Sequence, residues 1–166
     1  SSFVEEKDIM DLTNDLMRTV FKEIANEDLK KIEVIPWDKA MEEFGSDKPD
    51  LRNPLKLIEV KKFFEKEEFK VFSEPANDEE SRIAALVIND GDKIGRGQID
   101  RYTDFVKEFG AKGLAYIKVE NVSYSGISSP ILKYLSEKCI ENLIKELNLK
   151  KNDLVFFGAG KSKIVN

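Results

Sequence analysis

At 166 residues, 41% apolar and 36% charged, the chain suits one domain, or one domain with part of another, folding a real core beneath a charged surface. It holds no histidine and one cysteine, which excludes imidazole acid–base chemistry, Ser-His and Cys-His nucleophiles, almost every zinc site and any internal disulfide. A formal charge of −5 argues against tight nonspecific binding to nucleic acid, and no apolar run reaches membrane-spanning length.

Glu5 to Ile24 reads as a long amphipathic helix with Ile9, Leu12, Leu16, Val20 and Ile24 on one stripe and carboxylates in its first turn. Ile32 to Ile35 predicts a short strand; Pro36 then opens a helix through Phe44 that Gly45 ends. Gly45 to Pro54 is a polar loop with two prolines, and Val60 to Phe64 a short helix giving way to a strand at Phe69 to Phe72. After an acidic loop, Ile83 to Ile88 is an apolar strand and Asn89 to Gly97 a glycine-rich turn. Gln98 to Val119 is the clearest unit. Ile99, Tyr102, Phe105, Val106 and Phe109 share one helical face expected to be core, Gly110 and Gly113 break the helix, and a strand follows from Leu114. A small-residue loop leads to Pro130, which opens a second long helix lined by Leu132, Leu135, Cys139, Leu143 and Leu147. Asp153 to Phe157 and Lys163 to Val165 are the last strands, forming a hairpin around Gly158 to Lys161. The sum is an α+β fold: a two-layer sandwich of two long helices over a largely antiparallel sheet, with a composition boundary near Arg52 to Leu55.

Cys139, beside Ile140 on a helix, reads as a small core hydrophobe, and the single thiol suits a reducing, cytoplasmic setting. Val155 to Ser162 (VFFGAGKS) ends like a phosphate-binding loop, but the first glycine of that pattern would fall on Val155 and a strand-like run follows Ser162. Asp78, Glu79 and Glu80 lack the turn glycines and spaced oxygens of a cation site, so no metal ligands are assigned. Candidates for phosphate contact are Lys93, Arg96 and Arg101 around the start of the central helix, and Lys161 and Lys163 near the end of the chain.

In order, MEEFGSDKPDLRNP (Met41 to Pro54), RIAALVI, GQIDRYTDFVKEFGAKGLAYIKVE, GISSPILKYLSE and DLVFFGAGKSKIV resemble bacterial-type aspartyl-tRNA synthetase along essentially the whole chain. The resemblance implies that residues 1–54 belong to a class II catalytic domain, with Ser2 and Phe3 at the end of its second signature motif. It implies that residues 55–166 are the GAD-type domain inserted into that catalytic domain, similar to one in the glutamyl-tRNA amidotransferase B subunit. The parent implied is a homodimeric ligase using ATP and magnesium to attach aspartate to tRNA. Its ATP-binding arginines, aspartate-binding residues and histidines match no position here, so no catalytic or cofactor-binding residue is assigned and the chain is expected to be inactive alone. Its expected partners are tRNA, weakly, and the remainder of the synthetase, with no membrane. The inserted domain is expected to be non-catalytic and to help place the tRNA acceptor arm; the alternative is a structural or protein-interaction module. A serine start and an end just after an apolar run add the expectation of a piece of a longer protein.

Overall fold

Unbroken apolar runs through Ile83–Ile88 and Leu154–Phe157 give each strand two apolar faces, so the sheet they form must be covered on both sides. The computed structural model describes residues 3–166; Ser2, set by the resemblance at the end of a signature motif, lies outside them. The chain divides into two compact units, Ser1–Pro36 and Trp37–Asn166. That division falls before the expected composition boundary near Arg52 to Leu55, and Arg82 bonds the Met41 and Glu42 carbonyls of the segment between them into the second unit.

In the first unit, α1 (Glu6–Val20) continues into a π-helical turn, Phe21–Ala25, which ends at left-handed Asn26. The Glu5 amide donates to Asp8 Oδ2 at 2.9 Å, which holds the first turn. The expected strand at Ile32 to Ile35 does not form. Among the described residues this unit contains no strand to pair with it, and a strand without a ladder leaves its backbone groups to water.

The second unit follows the order α2 (Trp37–Phe44), β1 (Leu57–Glu59), α3 (Lys70–Ala76), β2 (Ser81–Ile88), α4 (Arg96–Glu108), β3 (Ala115–Val119), β4 (Ile127–Ser128), α5 (Glu137–Glu146), β5 (Leu154–Lys161) and α6 (Ser162–Val165). Its sheet has the order β1-β2-β5-β3-β4 with every neighbouring pair antiparallel, so the class is α+β. The register Ala85↔Phe157 and Leu86↔Phe156 sends alternate side chains to opposite faces. On one face Ile83, Ala85, Ile117, Val155 and Phe157 meet Phe72 of α3 and Cys139, Ile140 and Leu143 of α5. On the other, Leu154 and Phe156 meet Ile99 of α4. The two longest helices of this unit therefore use opposite faces of one sheet.

Several segments differ from the sequence reading. Phe69 to Phe72 is the start of α3 and not a strand: Phe72 and Ala76, four apart, are buried, and the Phe72 ring stacks on Phe64 at 4.5 Å. The second long helix begins at Glu137, not Pro130, after a 3₁₀ turn at Leu132–Tyr134 and an extended Leu135. Its start is fixed by Ser136, whose Oγ accepts from the Cys139 amide at 3.2 Å while Glu67 accepts from the Ser136 amide and hydroxyl at 2.8 and 2.6 Å. No terminal hairpin forms. β5 runs unbroken through Lys161, and Lys163 to Val165 lies in α6, bringing Val165 against Gly158. The short strands β1 and β4 have no signal in the sequence pattern.

Gly45 and Gly110 end helices at φ +66° and +94°. At Gly45 a side chain would also meet the Asn166 carbonyl oxygen at 2.6 Å, so glycine is required there on two counts. Cys139 is buried, and desolvation, followed by the charge of Glu67, pushes its thiol up to about 12, in keeping with a core hydrophobe.

Candidate nucleic-acid interface

A phosphate contact needs cations that are exposed and not already neutralised by carboxylates. Lys93 closes a 3₁₀ turn, Gly91–Lys93, that leads directly into α4, whose first residue is Arg96. Gly95 precedes the helix without a capping side chain, and its first turn carries no acidic residue. The free amides and the positive dipole end thus face water beside Arg96. Lys93, Arg96 and Arg101 are all exposed, and none makes an ion pair among the described residues. Arg101 follows Arg96 by five positions, about 140° around the helix, so it flanks this cationic end from another side.

The turn before α4 is anchored from behind. The Lys118 ammonium donates to the Ile94 carbonyl at 2.8 Å, the Asp92 amide to the Asn152 carbonyl at 3.0 Å, and Asn89 Nδ2 to Asp153 Oδ1 at 3.1 Å. These bonds place the turn between α5 and β5 alongside it, and that turn carries exposed Lys150 and Lys151. Sequence reasoning missed both. They stand more than fifty residues from Lys93 and become its neighbours only through the Asp92–Asn152 bond. The usable signal was the pair of adjacent lysines in an Asn-Asp turn leading into a strand. Asp153 is buried and occupied within the turn, accepting from the Lys150 amide at 2.8 Å.

Lys161 and Lys163 lie at the opposite end of the sheet. β5 carries Leu154 at the end near Lys93 and Lys161 at the other, seven steps or about 23 Å away. Lys161 is engaged by two carboxylates, Asp78 and Glu80, both at 2.9 Å, and these hydrogen bonds raise its pKa. The GKS segment offers no loop of amides for a phosphate, because Gly158 to Lys161 are strand residues paired to β2. Lys163 is exposed on α6. The five cations singled out from sequence therefore do not form one surface.

The face of α4 expected to be core is only partly so. Ile99 is buried and Tyr102 meets the Phe156 ring edge-on at 5.9 Å, but Phe105 and Phe109 are 59% and 64% exposed. The sheet under α4 is too narrow to reach them: the buried cluster on that face contains only Ile99, Leu154 and Phe156. Phe105 and Phe109 instead pack on each other at 5.0 Å. In the loop after α2, Asp50 and Arg52 pair with each other at 2.7 Å. Among the described residues no three His, Cys, Asp or Glu side chains are grouped to hold a metal ion.

Residues 72–166, more than half of the chain, match the GAD domain family. The chain belongs to the GAD domain family. The match begins inside α3 at Phe72 and takes in the four strands β2 to β5, both long helices on the sheet, and the lysines and arginines considered for phosphate contact. GAD domains are associated with class II aminoacyl-tRNA synthetases, so the chain is a synthetase-related fragment. The unit Ser1–Pro36 and the segment before Phe72 lie outside the match. No helix of the described residues is long and apolar enough to cross a membrane.

Proposed function

We propose that this GAD domain is a non-catalytic part of an aspartate-tRNA ligase and that it helps to place tRNA by touching its phosphates at the α4 end of the sheet. The observation that carries this reading is the grouping of unpaired, exposed Lys93 and Arg96 at an uncapped, acid-free helix start, with Lys150 and Lys151 joined to it through Asp92 and Asn152. Cations beside free amides suit a phosphate backbone and read no base sequence. The aspartate assignment rests on the resemblance carried by MEEFGSDKPDLRNP and the segments after it, under which residues 1–54 are catalytic-domain sequence and ATP and magnesium belong to the parent. The contact is weak and salt-sensitive, since a few ion pairs near a net-negative chain supply it.

Electrophoretic titration of the chain with aspartate tRNA across a salt series tests this. Binding that falls with salt at a log–log slope near −2 to −4 is expected, and Lys93→Glu or Arg96→Glu should each remove about 1 from its magnitude. Lys163→Glu, at the far end of β5, should leave the slope unchanged. No binding at the lowest salt, or an equal loss from Lys163→Glu, would reject the α4 site.

A second reading has its own observation. Phe105 and Phe109 form an exposed aromatic pair on α4, which suits a domain packed against the remainder of its synthetase. In the full enzyme, Phe105→Ser with Phe109→Ser would then lower thermal stability while leaving the salt slope for tRNA intact.

A further inference from the structure

The sheet has a gap in its middle. β2 pairs with β5 along all eight residues, from Ile88↔Leu154 to Ser81↔Lys161, but β3 pairs only from Lys118↔Leu154 to Ala115↔Phe157. Gly158 to Lys161 therefore have a strand on one side only, although they belong to the central strand. The space beside them is a groove of about 740 Å³ between α3 and the loop Gly110–Leu114, floored by Phe72, Phe157 and Ala159. Its size is that of a ligand site, not a packing defect. Gly160 is open: a methyl group built on it would meet nothing within 4 Å, so another backbone can approach. Val165 of α6 lies against Gly158, but Ala159 and Gly160 are small, and none of proline, bulge or inward charge stands along these three residues to protect the edge.

Charge selects among extended peptides. Exposed Lys70 and Lys112 stand on the two walls and make no ion pair among the described residues. Of the acids lining the groove, Asp78 is already bonded to Lys161 and Ser81, leaving Glu74. The walls thus complement a negatively charged segment.

We propose that this gap is a docking site for an extended peptide that adds as a strand antiparallel to Gly158–Lys161, in line with β3, with apolar side chains at alternate positions and an acidic residue near Lys112. The peptide backbone completes the ladder that β3 leaves unfinished. Side chains opposite Ala159 and Lys161 lie on the Phe72 and Phe157 face and bury there, while the acidic residue meets Lys112. This site is separate from the cationic end of α4 and does not depend on the tRNA reading.

The test uses the whole chain and a capped peptide, acetyl-Glu-Val-Thr-Val-Thr-Val-amide, followed by amide chemical shifts and hydrogen exchange. Saturable shifts confined to Gly158–Lys161, α3 and Gly110–Leu114 are expected, with about tenfold slower exchange at the amides of β5 that face the gap. A peptide with proline at its two central positions should not bind. Lys112→Glu should weaken the acidic peptide several-fold and a lysine-headed peptide should recover the loss, which a merely unfolded variant would not show. Absence of shifts at millimolar peptide, or shifts elsewhere, overturns the proposal. So does protection of Gly158–Lys161 that appears without peptide and grows with protein concentration, because the occupant would then be a second copy of the chain.

Discussion

Asp78 shows how a single carboxylate ties loop to strand in this domain. It accepts from the Ser81 hydroxyl and from Lys161 at 2.9 Å, so it links the turn before β2 to the end of β5. The Ser81 hydrogen bond, followed by that of Lys161, pulls its pKa from the ordinary 3.8 down to about 2. A carboxylate depressed on folding adds stability that is fully present above its unfolded value and is lost as pH falls through the folded one. Stability should therefore decline between pH 3.8 and about 2 as this linkage is protonated. Urea midpoints measured across that range for the native chain and Asp78→Asn would check it. The substituted chain should be less stable at neutral pH, and the two curves should converge near pH 2. Parallel curves would mean that Asp78 contributes nothing to acid sensitivity.

At the scale of elements, one buried side chain, Arg82, ties α2 to the sheet. Arg82 donates from Nε to Glu59 at 3.1 Å, from Nη2 to the Glu42 carbonyl at 3.0 Å, and from Nη1 to the Asn166 side chain at 2.6 Å. It thereby joins β1, the end of α2 and the end of α6 to β2, and no donor of the fork is wasted on a single partner. Arg82→Ala should cost about 1.5–3 kcal/mol, because half-buried Glu59 and the Glu42 carbonyl lose a charged donor while water reaches both. Hydrogen exchange should show α2 losing protection before β2 and β5 do; equal loss throughout would contradict a local attachment. The sheet itself was legible in the sequence, since unbroken apolar runs through Ile83–Ile88 and Leu154–Phe157 specify strands with two buried faces. Phe69 to Phe72 was not, because four residues rich in aromatics satisfy a strand as well as a helix, and only the stacking on Phe64 decides. Nor was α6. Lys163 to Val165 look strand-like until the chain is bonded back, with the Ser162 amide donating to the Glu80 carbonyl at 3.0 Å. Lys93 and Arg96 could be singled out because they sit three apart at the start of one helix, whereas nothing local in the sequence shows that Lys150 and Lys151 join them.

Taken whole, the chain joins a well-packed unit to one that, among the described residues, has no buried core of its own. The second unit buries the stacked Phe64 and Phe72 rings against Phe157, but α1 buries no residue at all. Ile9, Leu12 and Leu16 are 52%, 67% and 59% exposed, and they lie on one stripe at spacings of three and four. An amphipathic helix of this kind owes little stability to propensity and most to what its apolar face packs against. In solution, the same stripe on another chain is one such partner. Self-association at high micromolar concentration is therefore expected in sedimentation equilibrium. Each buried leucine contributes about 1.5–3 kcal/mol, so Leu12→Glu together with Leu16→Glu should raise the dissociation constant at least roughly a hundredfold. The sheet unit should keep its amide spectrum in that variant, since the two leucines belong to neither of its buried clusters. A native chain that remains monomeric at every concentration reached would show that the stripe on α1 does not drive association.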